Sequence, residues 1–201
     1  MYIKNAKLKK LMKAAKKAGT LVIGCDDISK NYGGYYVAGS FWICHVKEDE
    51  ATPEFLALIV EFLGRIPAAG EEYTIHDGMK QTAMYGARDF YLPGRFVKAT
   101  VEAIKTGVTV ETAFGATLAV YQEPTKLLVY AINKDVADVI DFKQLGENEN
   151  TPEIHLTNSD RSICYGNETS YLEVWRMDFN DMPEDCPAKK VLEAIEGTQI
   201  F

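Results

Sequence analysis

Cysteine and histidine are scarce in this 201-residue chain, with four of one and three of the other. The cysteines, Cys25, Cys44, Cys164 and Cys186, are widely spread and form no C-x-x-C. That spacing excludes a zinc ribbon or a small disulfide framework and fits reduced thiols in a cytosol. No run of about 18 uncharged apolar residues exists, which argues against a transmembrane helix and any membrane role. The basic N-terminus lacks the apolar core of a secretion signal, so a cytoplasmic protein is expected. The phosphate-loop, dinucleotide, zinc-protease and nucleophile-elbow signatures are all missing. Nothing in the sequence calls for a cofactor or a metal ion.

Acidic residues are absent before Asp26, whereas Lys4, Lys7, Lys9, Lys10, Lys13, Lys16 and Lys17 all precede it. These seven leave 15 of the 22 basic residues against all 29 acidic ones, so the rest of the chain carries −14. The molecule is therefore acidic with one basic segment. Residues 3–18 read as an amphipathic helix, with Leu8, Leu11, Met12 and Ala15 at helical spacing. At 100° per residue, Lys9, Lys10, Lys13, Lys16 and Lys17 fall on the opposite side. That face either meets a polyanion or is simply solvated.

Two stretches resemble each other. Ile75-His76 and Ile154-His155 are each followed about ten residues later by Tyr-Gly, at Tyr85-Gly86 and Tyr165-Gly166. A helix-like run precedes each, over 2–18 and 91–106, followed by β-type segments and a second helix-like run. The pattern reads as a tandem duplication of roughly 85–90 residues. Its boundaries fall at 1–90 and 91–178, with a tail over 179–201. The fold class expected is α+β, built from two helix–strands–helix–strands units with a short C-terminal helix.

Within the first unit, residues 20–25 form a strand and 35–46 one long β run with both alternation phases apolar. Thr52-Pro53 opens a helix, Phe55, Leu58, Ile59 and Phe62 bury one face, and Gly64 ends it. Asp77-Gly78 joins two strands over 72–76 and 80–85 as a hairpin turn. In the second unit, Val97, Thr100, Val101 and Ile104 mark the buried stripe of a helix, with Arg95, Lys98 and Lys105 on its other side. Strands are expected over 108–113, 117–121 and 127–132. A helix capped by Asn133 then runs to Phe142, with Asp135, Asp138 and Asp141 outward. Strands at 153–157, 162–165 and 171–177 follow. Residues 188–196 form a helix that docks, with 198–201, on the chain's own surface.

Chemistry is sparse. Cys25-Asp26-Asp27 sets a thiol beside carboxylates, which raise its pKa and suppress a nucleophile. His155-Leu156-Thr157 matches one H-x-T element of two-histidine phosphoesterases, but the equivalent first segment, His76-Asp77-Gly78, has no hydroxyl. Tyr35, Tyr36 and Trp42 could stack on a ligand, though strand aromatics are usually core.

The helix of Leu8, Leu11 and Met12 with its lysines, the run over 35–46, the helix of Phe55 to Phe62 and their second-unit equivalents together resemble one domain of a DNA sliding clamp per unit. The run Tyr-Val-Ala-Gly-Ser-Phe-Trp-Ile-Cys-His-Val is also similar to phage and prophage proteins of clamp-like fold. The resemblance implies a non-enzymatic protein of DNA metabolism that presents surfaces to double-stranded DNA or replication proteins. It implies a homo-oligomer, since two units do not close a ring. It also implies side-by-side helices that merge Lys9, Lys10, Lys13, Lys16 and Lys17 with Arg95, Lys98 and Lys105 into one DNA-facing surface. The second and fourth helices, with Glu54 and Glu61 and with the three aspartates, depart from the basic lining of such clamps. Two other readings stay open: a phage-type protein that inhibits a host factor or sequesters a ligand, and a hydrolase with a site near His76 or His155.

Overall fold

The computed structural model of the chain describes residues 2–26, 33–76, 79–82, 92–141, 153–156 and 161–201. The Asp77-Gly78 turn, Tyr85-Gly86, Asp27, Phe142 and Thr157 lie outside them. Helix α1, Asn5–Lys17, buries Leu8, Met12 and Ala15, as its 3.6-residue spacing requires. Three strands follow: β1 Leu21–Cys25, β2 Gly34–Ala38 and β3 Trp42–Lys47. The apolar run over 35–46 is therefore two strands and not one. Gly39, Ser40 and Phe41 make the turn, with the Gly39 N–H donating to the Trp42 carbonyl at 3.0 Å. The turn shifts the alternation phase, so Val37 shares a face with Trp42, Cys44 and Val46.

Helix α2, Pro53–Leu63, forms where expected. Thr52 accepts from the Phe55 N–H at 3.3 Å, proline sits in the first turn, and Gly64 closes the helix at φ 86°. That left-handed angle is nearly free only for glycine. Strands β4, Glu72–His76, and β5, Met79–Thr82, pair antiparallel with His76 opposite Met79, as a hairpin should.

The third predicted helix is largely replaced by strand. Helix α3 covers only Leu92–Lys98; β6, Val101–Glu102, and β7, Ile104–Glu111, follow at once. Val97 is 77 % exposed and Val101 38 %, so the proposed buried stripe does not exist. Valine, threonine and isoleucine at helical spacing also suit a strand, and here pairing with a distant segment wins. Strands β8, Thr117–Gln122, and β9, Val129–Asn133, come next. The fourth helix is also shorter than its pattern: α4 is one turn, Lys134–Ala137. Asn133 caps it by accepting from the Asp135 N–H at 2.8 Å, and Val139 and Ile140 are buried beyond its end. There Ile140 bridges to Ile3, which diverts the chain out of the helix. Strands β10 Glu153–Leu156, β11 Ser162–Gly166 and β12 Ser170–Trp175 precede α5, Pro187–Ile195.

Nine strands form one sheet in the order β5-β4-β1-β2-β3-β12-β11-β10-β6, and β7-β8-β9 form a second. In the first half, β1 lies between β4 and β2. In the second, the β6–β7 run pairs with β10 through Val101 and Glu102 and with β8 from Ile104 onward. It crosses from one sheet to the other at Ala103. The central β3–β12 pairing joins the two halves.

The large sheet has two unlike faces. On one, Leu21, Ile23, Val37, Cys44, Ile163, Leu172 and Val174 share a core with α1, α2, α4 and the inward side chains of the small sheet. On the other, Val22, Tyr36, Ala38, Ile43 and Tyr171 pack against Leu92 and Phe96 of α3. The small sheet's outer face, Val110, Leu118, Val120, Val129 and Ala131, is covered by α5 through Ala188 and Leu192. The Gln122 amide donates to the Thr198 carbonyl at 2.8 Å and its oxygen accepts from the Ile200 N–H at 3.1 Å. The tail thus docks on its own chain, as expected for a short helix. Among the described residues, no helix is long and apolar enough to cross a membrane.

Candidate nucleic-acid interface

Helix α1 lies against both α2 and α4 on the same side of the large sheet. With Leu8, Met12 and Ala15 turned inward, helical geometry puts Lys10, Lys13 and Lys17 outermost, and all three are exposed. They span about 10 Å along the axis. Among the described residues none of the three has an ion pair. The lysines at the edges of the row are engaged with neighbouring elements. Lys9 Nζ lies 2.6 Å from a Glu61 carboxylate oxygen on α2. Lys16 Nζ sits 5.9 Å from the centre of the Phe62 ring. Lys4 donates to the Ile140 carbonyl at 2.9 Å and lies 4.0 Å from Asp141. Between α1 and α2 runs an open groove of about 380 Å³, lined by Lys13, Lys16, Lys17, Glu61 and Phe62. Lysines in the last turn also offset the negative end of the helix dipole.

The merged basic surface expected from Arg95, Lys98 and Lys105 is not formed. Helix α3 packs on the opposite face of the large sheet from α1, with Leu92 and Phe96 against Tyr36 and Ile43. Arg95 reaches inward, 2.7 Å from a carboxylate oxygen of Glu173 on β12. Lys98 ends α3, and Lys105 lies on β7, so neither extends the α1 row. Of the aspartates expected to face outward, Asp135 is exposed, whereas Asp138 is half-buried and pairs with Lys134 at 2.5 Å, and Asp141 is half-buried near Lys4.

The two histidines singled out in the sequence do not meet. His76 is on β4 and His155 on β10, second and eighth in the sheet order. Six strand spacings separate them, about 29 Å. A two-histidine site is therefore ruled out for this pair. His76 packs over Gly19 at the end of α1, where an added Cβ would fall 2.3 Å from its Nδ1. His155 stacks on Phe96 with ring centres 4.9 Å apart, and its Nε2 is 3.3 Å from Glu153. Tyr35, Tyr36 and Trp42 are buried, as core residues should be. Burial, aided by Glu48, Asp26 and Glu71, pushes the Cys25 thiol up to about 12, so it is no nucleophile. All four cysteines are free and buried. Among the described residues, no group of three His, Cys, Asp or Glu side chains is placed to hold a metal ion.

Two polar clusters were not anticipated. Glu173 is fully buried; its Oε1 accepts from the Ser162 hydroxyl at 2.6 Å and faces Arg95, while Oε2 has no hydrogen-bond partner among the described residues. Burial raises its carboxyl above the usual range, against the lowering effects of Ser162 and Arg95. His45, 1 % exposed, holds Asp26 at 2.9 Å. The available signal was phase: Glu173 and His45 interrupt apolar strands, and an ionisable residue there needs a partner.

No family model matches the chain, and no curated protein matches it. Among solved structures, it is similar to the DNA polymerase III beta chain of Streptococcus pneumoniae TIGR4, at 11% identity and a TM-score of 0.32. The match covers 90% of this chain and 65% of that one. So slight a likeness carries no argument about what this chain does.

Proposed function

We propose that the chain is a non-enzymatic protein of DNA metabolism that offers α1 to the phosphates of double-stranded DNA. The observation that carries this reading is the row Lys10, Lys13 and Lys17, exposed and without an ion pair among the described residues on an otherwise acidic molecule. Unpaired lysines held about 10 Å end to end on a rigid helix suit a phosphate backbone, which demands charge and not base sequence. Lys9 and Lys16 serve the row indirectly by fixing α1 against α2. The acidic residues on α2 and α4 flank the row, so binding by one copy is weak and fades with salt over a Debye length of ~8 Å. A homo-oligomer repeating the row along a duplex would raise the affinity through effective concentration.

The architecture under this reading is a duplicated, clamp-like unit. It is supported by the recurrence of one pairing order. The strand run after the first helix of each half lies between the second and fourth strand runs, β1 between β2 and β4, β6–β7 between β8 and β10. His76 and His155 then occupy equivalent strands. A titration of duplex DNA at low and physiological salt, with wild type and a Lys10→Glu, Lys13→Glu, Lys17→Glu variant, tests the function. Salt-sensitive binding lost in the variant supports it. If wild type ignores DNA at low salt, a surface for replication or host proteins becomes the reading to pursue.

A further inference from the structure

Phe114 is 88 % exposed, the most exposed large apolar side chain among the described residues. It stands at the tip of the β7–β8 hairpin, and the backbone around it is fixed. The Thr112 N–H donates to the Ala116 carbonyl at 2.8 Å, the Gly115 N–H to the Thr112 carbonyl at 3.0 Å, and the Ala116 N–H to the Thr112 hydroxyl at 3.1 Å. Gly115 takes the left-handed φ of 76° that the turn requires. None of this calls for an aromatic ring, since tight turns are built by glycine, proline, asparagine, aspartate and serine. The ring adds nothing to the turn, and a tip already held in place costs little to order on binding.

The surroundings of the ring are acidic. Glu111 precedes the turn on β7 and is exposed. Cys186, at the N-terminus of α5, shares an apolar cluster with Val110 of β7 and faces the Ala113 N–H. That packing brings the exposed Glu184 and Asp185 alongside the turn. Glu184 is partly neutralised by Lys189 at 2.5 Å, whereas Glu111 and Asp185 have no ion pair among the described residues. The complementary arrangement is the groove of about 380 Å³ between α1 and α2, lined by Lys13, Lys16 and Lys17 with Phe62 among them. Its one carboxylate, Glu61, is held by Lys9. A cavity of ~150 Å³ already accepts a benzene ring, so the groove has room for a phenyl side chain.

We propose that the Phe114 tip of one copy docks in the α1–α2 groove of a second copy, and that this contact covers the lysine row when no polyanion is present. Phe114 enters beside Phe62, and Glu111 and Asp185 face Lys13 and Lys17. Charge selects this tip over another: Phe41, 67 % exposed, sits in the Gly39-Ser40-Phe41 turn, which has no acidic residue. The same acidic rim turns the tip away from DNA and from anionic lipid. Knob and groove belong to different elements, so the contact is head-to-tail, and every assembly keeps one free knob and one free groove. Anchored by a single ring, it belongs to the small, weak class of interfaces below ~1,200 Å². A copy engaged in this way cannot offer Lys13 and Lys17 to phosphate, so the assembly is distinct from one that repeats the row along a duplex. The contact itself does not require the DNA reading.

Sedimentation of the full chain over a range of concentrations, without DNA, tests the contact. Wild type is expected to self-associate at low salt and to dissociate toward about 1 M salt, where the Debye length falls to ~3 Å. Phe114→Ser, at a position with almost no packing to lose, weakens association by at least about tenfold. Lys13→Glu combined with Lys17→Glu does the same from the groove side. The decisive sample is their mixture. The first variant keeps only a working groove and the double variant only a working knob, so together they form a one-to-one pair as tightly as wild type and nothing larger. The proposal is overturned if wild type stays monomeric at low salt, if Phe114→Ser associates like wild type, or if the two folded variants do not pair when mixed. A monomeric wild type leaves the DNA titration unaffected, so the two readings fail separately.

Discussion

Glu173 shows what a single side chain can fix and what its chemistry then costs. Its backbone pairs with Cys164 on one side and Ile43 on the other, in the middle of the large sheet. The carboxyl is thereby removed from water, which raises its pKa, and Ser162 and Arg95 only partly compensate. The folded chain therefore holds a proton on Glu173 at a pH where the unfolded chain, with an ordinary glutamate pKa of ~4.3, has lost it. More protons bound in the folded state means stability falls as pH rises through that interval. Glu173→Gln cannot ionise and keeps an oxygen for Ser162. Its melting temperature relative to wild type is expected to climb as pH rises from about 4 toward neutrality. Thermal unfolding of both proteins across that range checks this; a difference independent of pH would contradict it. Arg95 illustrates why this site was illegible. Read as a helix residue beside Lys98 it looked like surface charge, and only the packing of α3 on β12 turns it inward.

Elements were legible where local chemistry and burial agree. Thr52, Pro53, the Phe55/Ile59/Phe62 face and Gly64 all specify α2, and it forms within those bounds. Thr52→Ala removes the cap and should cost about 1 kcal/mol, seen as a lower denaturation midpoint without a change in slope. A cost near zero would mean the Phe55 N–H is satisfied elsewhere. Burial of the α2 face contributes more, roughly 1.5–3 kcal/mol for each large side chain. Legibility failed over 91–106, where β-branched residues at helical spacing were compatible with two structures. Whether Val101 joins a helix or pairs with Leu156 depends on a partner 55 positions away, which no local pattern contains. The turn at Gly39 was hidden for the opposite reason: apolar residues on both sides of it read as one strand.

At the scale of the whole molecule, the halves are stitched together by β3 and β12 and by one core holding Leu8 and Ile23 with Tyr121, Ile132 and Leu172. A fragment of residues 1–90 would leave β3 as an exposed edge and open that core. It is expected to be unfolded or aggregated alone, and the full chain, with its one shared core, is expected to unfold in one transition. A stable, monomeric fragment by circular dichroism and light scattering would show that the halves are independent. The order of elements was readable from sequence except over 35–46 and 91–106, whereas their placement on two faces of one sheet was not, because face assignment follows from pairing partners. That placement divides the predicted basic surface and leaves three lysines of α1 as the surface to test. The most direct measurement is duplex DNA binding at two salt concentrations by wild type and by the Lys10→Glu, Lys13→Glu, Lys17→Glu variant, both confirmed folded. The account predicts weak binding at low salt, a slope of log affinity against log salt of about −2.7 for three phosphate contacts, and loss of binding in the variant. Wild-type binding that is unaffected by the substitutions, or absent even at low salt, would contradict it.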